Sequence, residues 1–160
     1  MTDKPLDLVG SERDVLVHYL GRMREAVIAT TVGLTDAELR APGVPSGTSL
    51  LGVVHHLAGV EQHWFHAVFL GEDIHPDLSM SPPAHLSADE VIASYRDAGR
   101  HSDRIIRGCD DLSTMAATVN PGEDELDSLR RITAHMLRET SRHAGQCDIL
   151  RELIDGHTDD

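Results

Sequence analysis

The segment ITAHMLRETSRHAGQCDILRELI, residues 132–154, has apolar residues that recur at steps of three and four. This spacing is the period of one face of an α-helix, so it predicts a long helix near the C-terminus. At about 100° per residue, the apolar positions fall within a stripe roughly 60° wide. The stripe consists of Leu129, Ile132, Met136, His143, Cys147, Leu150 and Ile154.

An imidazole and a carboxylate lie on or beside this core-facing stripe. His143 is near its middle, and Glu139, one turn earlier, is about 40° away. A glutamate beside a core is costly unless a cation or a hydrogen-bond donor meets it. A metal ion would satisfy both groups, but so would a hydrogen bond between Glu139 and His143. These two residues alone leave both alternatives open.

The other helices are predicted from their start signals. Three segments have Ser or Thr followed three residues later by an acidic residue, the spacing of a capping box: Ser11 with Asp14, Thr35 with Glu38, and Ser87 with Glu90. They predict helices over about 12–31 and 88–107, with a single turn at 35–38 between them. A wide apolar stripe predicts another helix over 50–70. With no segment of strand period, the sequence predicts an all-α four-helix bundle with long connections.

Composition narrows the class of protein and of partner. The chain has 160 residues and a formal net charge of −13, which argues against nucleic acid and against an anionic membrane surface as partners. No apolar run is long enough to span a membrane, and no signal peptide is visible, so we expect a cytoplasmic protein. We expect a flexible N-terminus over residues 1–10, one domain over 11–156 and a frayed tail over 157–160.

Candidates for a third ligand lie on the second long helix, which carries His55, His56, Glu61, His63 and His66. On the helical wheel Glu61 is near the centre of the apolar stripe, whereas His56 is at one edge. Position on the wheel alone therefore favours Glu61 over His56 as the group that faces the C-terminal helix.

Two segments resemble a known family. HHLAGVEQHWF, residues 55–65, followed by ETSRHAGQ, residues 139–146, is similar to the DinB-like four-helix metalloproteins, and among them to the mycothiol-dependent branch. Its members have a His immediately before Leu-Ala on the second helix and a Glu-x-x-x-His or His-x-x-x-His pair on the last. The resemblance covers residues 11–156 and implies a DinB-like bundle in which His56, Glu139 and His143 bind a metal.

The sequence departs from this family in two respects. Gln146 stands where many relatives carry a histidine. The mycothiol-dependent maleylpyruvate isomerases have a further C-terminal domain that this sequence does not show, so we do not expect maleylpyruvate as its substrate.

Two imidazoles and one carboxylate suit Zn²⁺ with a fourth position left for water or substrate. Ni²⁺, Fe²⁺ and Mn²⁺ accept the same ligand types. The Glu-x-x-x-His spacing differs from the Glu-x-x-His of di-iron bundles and favours a single ion. We expect four further residues to touch the ligands or to line the entrance: His55, Glu61, His135 and Gln146. For Glu61 the sequence allows pairing with an arginine or with a ring N–H of a ligand histidine.

Three hypotheses for the function follow. In the first, the protein is an enzyme: a metal-dependent S-transferase or thiol-dependent isomerase that joins a small-molecule thiol, implied by the resemblance to be mycothiol, to an electrophile. In the second, it is a non-catalytic metal-binding stress-response module, and a homodimer would bury the wide apolar face of the second helix. In the third, it is a structural bundle in which Glu139 and His143 only pair with each other.

Overall fold

The protein is an all-α bundle, as predicted. A computed structural model describes residues 10–158, so most of the two termini expected to be flexible or frayed, residues 1–9 and 159–160, lie outside the described residues. The helices are α1 (Glu12–Ala29), α2 (Asp36–Arg40), α3 (Leu50–Gln62), α4 (Ala88–Gly108) and α5 (Leu129–Asp155), and a π-helical segment (His63–Phe69) continues α3. Between residues 10 and 158 there is no β-strand, only an isolated bridge from Met115 to Ser128. No helix in that range has both the length and the apolar character needed to cross a membrane.

The helix starts follow the predicted caps. All three capping boxes are formed, with the acidic side chain bound back to the N-cap residue in α1, α2 and α4. Ser49 and Ser128 cap α3 and α5 through their side-chain oxygens. α5 ends at Asp155, immediately before Gly156. These boundaries are local in origin, because each cap satisfies backbone N–H groups that the first turn leaves without a partner.

The second long helix differs from the prediction of one α-helix over 50–70. It is α-helical only to Gln62 and then widens, with the N–H of Leu70 donating to the carbonyl of Phe65 five residues earlier. The wider turn keeps bulky residues on the core side, since Trp64, Phe65, Val68 and Phe69 are all buried. Apolar spacing of three and four residues fits both helix types, so the pattern could not show the change.

α1 and α5 are neighbours that run in the same direction. Glu12 at the start of α1 binds Arg130 at the start of α5, with 2.8 Å between carboxylate oxygen and Nε. At the other end, Arg151 of α5 donates to the carbonyl of Thr30, which follows α1, over 2.9 Å.

α3 and α4 form the second parallel pair. The rings of His66 and His101, each late in its helix, have centroids 5.8 Å apart. α3 runs opposite to α5, because Trp64, just past the end of α3, has its ring 4.7 Å from that of His135, near the start of α5.

The connection between α3 and α4 must return along the bundle because both helices point the same way. Residues 71–86, which we call the crossover segment, make this return along the surface of α3. Glu72 accepts from His66 over 2.8 Å at one end, and the carbonyl of Leu78 accepts from His56 over 2.7 Å near the middle. The backbone carbonyl and N–H groups of such a segment can form hydrogen bonds with side chains on the helix face that it follows.

The apolar face of the second helix is buried within the chain. It contributes to two core clusters, one toward each end of the bundle, with Leu57 at 0% exposure in the first and Phe65 at 0% in the second. The apolar residues of this face from Leu50 to Phe69 are therefore covered by other parts of the same chain.

Candidate metal centre

Three side chains converge between α3 and α5: His56 from α3, and Glu139 and His143 from α5. Each offers one ligand atom, and the three atoms lie within 4.8 Å of one another. Oε1 of Glu139 is 3.1 Å from Nε2 of His143 and 3.9 Å from Nε2 of His56. Ligand atoms around a tetrahedral ion with bonds of about 2.0–2.1 Å are about 3.3 Å apart, so these separations are close to those of a metal site.

The tautomer of His56 is fixed by the crossover segment. Its Nδ1 lies 2.7 Å from the carbonyl oxygen of Leu78. A carbonyl can only accept a hydrogen bond, so Nδ1 carries the proton. In the neutral form, which is the form that binds metals, the ring then has the lone pair of Nε2 facing Glu139.

His143 is held in the same way by Gln146. Nδ1 of His143 lies 2.7 Å from Oε1 of Gln146, one turn further along α5. With the amide oxygen accepting from Nδ1–H, the neutral form of this ring has its lone pair on Nε2, which lies 3.1 Å from Oε1 of Glu139. The amide oxygen of Gln146 thus contacts the ring of this candidate ligand directly.

The donor set fits a divalent cation better than it fits a simple hydrogen bond. Two imidazole lone pairs and a carboxylate oxygen aimed at one point repel one another unless a proton or a metal cation lies between them. A bond between Glu139 and His143 alone would leave Nε2 of His56 facing a carboxylate oxygen without a proton. Histidine ligands whose other ring nitrogen donates to a carbonyl or an amide oxygen are the usual arrangement in metal sites.

His55 is turned away from these ligands. Its Nε2 lies 3.1 Å from Oδ2 of Asp77 on the crossover segment. The N–H of Ser79 donates to the other oxygen of Asp77 over 2.8 Å. The bond from Ser79 and the contact with His55 lower the pKa of Asp77 to about 2, so this carboxylate is ionised at neutral pH. His55 therefore anchors the segment that orients His56.

Glu61 is fully buried, as its place on the wheel indicates, but its partner is an arginine. Nε and Nη2 of Arg24 lie 2.6 and 2.9 Å from its two carboxylate oxygens. Of the two pairings that the sequence allowed for Glu61, the structure shows the one with arginine. The wheel finds burial but not the partner, because it describes one helix and not what faces it.

His135 lies one turn before Glu139 on α5. Its ring is half-buried against Trp64, and Arg138 lies 3.2 Å from its Nδ1. Burial, followed by the charge of Arg138, lowers the pKa of His135, so the ring is neutral at physiological pH. The ring therefore lies between Glu139 and the start of α5, in contact with Trp64.

Two features of the centre were missed by sequence reasoning. The carbonyl of Leu78 has no signature, because every residue carries one. The place where the crossover segment touches α3 does have a signal: Gly52 and Gly59 are seven residues apart, on the helix face of His56. Small residues repeated at helical spacing mark close approach of another backbone.

The chain is similar to known proteins in sequence and in fold. The model of the family described as mycothiol-S-transferase matches residues 15–156. No curated protein matches the sequence. The crystal structure of a conserved protein from Enterococcus faecalis has a similar fold, with a TM-score of 0.57 and 15% identity over 92% of this chain and 99% of that one.

Proposed function

Since this chain belongs to the mycothiol S-transferase family, a group of DinB-like bundles, we propose that it is a metal-dependent S-transferase. Its cosubstrate would be mycothiol or a similar low-molecular-weight thiol. The observation that carries the proposal is the convergence of three ligand atoms within 4.8 Å, with both histidine rings oriented through Nδ1.

His56, Glu139 and His143 would hold the ion, and zinc suits this set best because it accepts imidazole and carboxylate in a four-coordinate site with one open position. A divalent ion beside two neutral rings and a single carboxylate would keep one net positive charge and would supply a position at which a thiol is held as its thiolate. Leu78 and Gln146 keep both rings in the metal-binding tautomer.

The side chains near the centre offer surfaces for the rest of the substrates. Toward the start of α5 lies His135, whose ring packs on Trp64, and His63, next to Trp64, is held by Asn120 over 2.8 Å. Aromatic and imidazole rings provide flat apolar faces with polar edges. We infer that the electrophile or the body of the thiol lies on these rings.

The compartment follows from the same chemistry. Cys109 and Cys147 are both free. Free cysteines and a reduced thiol cosubstrate are typical of a reducing compartment, so we propose a cytoplasmic location.

The direct test uses protein purified without chelator, loaded with zinc and mixed with mycothiol and a chromogenic aryl chloride. Conjugation forms one C–S bond and releases chloride and the thiol proton. We expect conjugation by the wild type and only the uncatalysed rate with His143→Ala. His18→Ala, which removes an exposed histidine of α1, is the matched control and should retain the wild-type rate.

Wild-type rates in His143→Ala would contradict the proposal. Stoichiometric zinc in the wild type without turnover of any thiol would favour the non-catalytic metal-binding module instead.

A further inference from the structure

The crossover segment touches α3 at two glycines, and His56 lies between them. A Cβ added at Gly59 would overlap the carbonyl oxygen of Asp77, and one added at Gly52 would overlap the carbonyl oxygen of Met80. Gly52 lies four residues before His56 and Gly59 three residues after it, so all three positions share one face of α3.

These contacts determine where the carbonyl of Leu78 lies. Leu78 follows Asp77 directly, and its oxygen reaches Nδ1 of His56 at 2.7 Å only because the neighbouring backbone rests on the helix surface. The atom that a new Cβ at Gly59 would meet is backbone, not the end of a flexible side chain. A side chain there can be accommodated only if the segment moves away from α3.

We propose that Gly59 is a positioning residue of the metal centre: by admitting the backbone at Asp77, it lets Leu78 hold His56 in the tautomer whose Nε2 faces Glu139. The inference rests on the proposed metal centre. It adds that the absence of a side chain at position 59 is part of that centre.

Asp77 provides the second attachment of the same segment. It binds His55 on one side and the N–H of Ser79 on the other. Glycine at position 59 sets the distance of the segment from α3, and Asp77 sets its register along the helix. Without the contacts at Gly59 and Asp77, the ring of His56 could carry its proton on Nε2. In that tautomer Nε2 has no lone pair for a metal.

Two readouts test the inference. The first is the tautomer of His56 in metal-free protein, read from the imidazole nitrogen shifts by NMR. The second is zinc affinity, measured by competition with a chromophoric chelator. For Gly59→Ala we expect a mixture of tautomers and a loss of zinc affinity of about 10- to 100-fold, the usual effect of removing a partner that orients a ligand.

The matched control is Gly21→Ala. Gly21 is an interior glycine of α1, and a Cβ added there meets nothing within 4 Å. Because no other backbone approaches Gly21, we expect this variant to have the same His56 tautomer and the same zinc affinity as the wild type.

A second variant, Asp77→Ala, tests the inference if the Gly59→Ala protein does not fold. Asp77→Ala removes the anchor of the crossover segment through an exposed side chain. It should shift the tautomer and zinc affinity in the same direction, by a smaller factor. Wild-type tautomer and affinity in folded Gly59→Ala, or in Asp77→Ala if the former does not fold, would overturn the inference.

Failure of the proposed function gives a different result. If the wild type bound no zinc, the metal proposal would fall. The tautomer of His56 in Gly59→Ala, compared with Gly21→Ala, would still decide the role of Gly59.

Discussion

Arg24 of α1 binds Glu61 of α3 through two hydrogen bonds inside the bundle, with Nε 2.6 Å and Nη2 2.9 Å from the two carboxylate oxygens. The two side chains are 8% and 0% exposed. Asp103 accepts a third bond from the same guanidinium over 2.7 Å. Burial alone would lower the pKa of Arg24, but Glu61 and Asp103 raise it, so the arginine stays charged. This pairing accounts for a buried acid without a metal.

The first prediction concerns the stability of this pair. Glu61→Ala would leave a buried guanidinium with one of its two carboxylates missing, so we expect the free energy of unfolding to fall by about 3–5 kcal/mol. Urea unfolding measures the change. Glu12→Ala, which breaks the exposed pair with Arg130, is the control and should change stability little. Equal losses in the two variants would mean that the buried pair has no special role.

The second prediction concerns stabilisation by metal. An ion that binds only the folded state adds about 2.7 kcal/mol at a free concentration 100-fold above Kd, which corresponds to a Tm increase of about 5–10 °C for a chain of this length. Calorimetry with and without zinc should show this increase in the wild type and in His18→Ala. His143→Ala should lose it. The same increase in all three proteins would show that zinc acts elsewhere on the chain.

Much of the fold could be predicted because its signals are local. Each capping box lies within four residues, and the apolar period of α5 lies within a single helix, so neither depends on distant parts of the chain. Glu139 and His143 were found from the apolar stripe of α5, whereas His56 was chosen from the family resemblance and against its place on the wheel. The structure brings those three side chains together, whereas Glu61, which the wheel favoured, lies with Arg24.

What the sequence could not predict depends on contacts between distant segments. Residues 71–86 run along α3 because α3 and α4 point in the same direction. The apolar periodicity of a helix does not show which way the helix points in the bundle. The bond from His56 to Leu78 joins positions 22 residues apart through a backbone carbonyl. The π-helical turn at His63–Phe69 was missed because apolar spacing is the same in both helix types.

A third prediction concerns the two thiols. Burial raises the pKa of Cys147 to about 12, whereas Cys109 is partly exposed. Because the thiolate is the reactive form, iodoacetamide at about pH 8 should alkylate Cys109 and spare Cys147 in folded protein. Mass spectrometry of peptides measures this, and both thiols should react in urea. Equal labelling of the two in folded protein would contradict the burial of Cys147.

The same thiol predicts how stability changes with alkaline pH. An unfolded cysteine loses its proton near pH 8.5, while folded Cys147 keeps its proton to about 12. The folded state then binds more protons than the unfolded state, so this group lowers stability as pH rises between those values. Urea unfolding at pH values between these two pKa values should show a falling free energy of unfolding. The part of this fall that comes from Cys147 should be absent from a folded Cys147→Ala variant.

The last prediction concerns Gln146, whose amide oxygen accepts from Nδ1 of His143 over 2.7 Å. Gln146→Leu keeps a side chain of similar size but removes the acceptor, so the ring can turn or change its tautomer. We expect zinc affinity to fall by about 10- to 100-fold, as is usual when the partner of a ligand histidine is removed. Gln146→His restores a ring nitrogen that can accept, and its affinity should lie close to that of the wild type. Arg142→Ala, an exposed change on the same helix, controls for effects on α5 in general. If Gln146→Leu bound zinc as tightly as Arg142→Ala, the orientation of His143 would have to come from packing and not from this hydrogen bond.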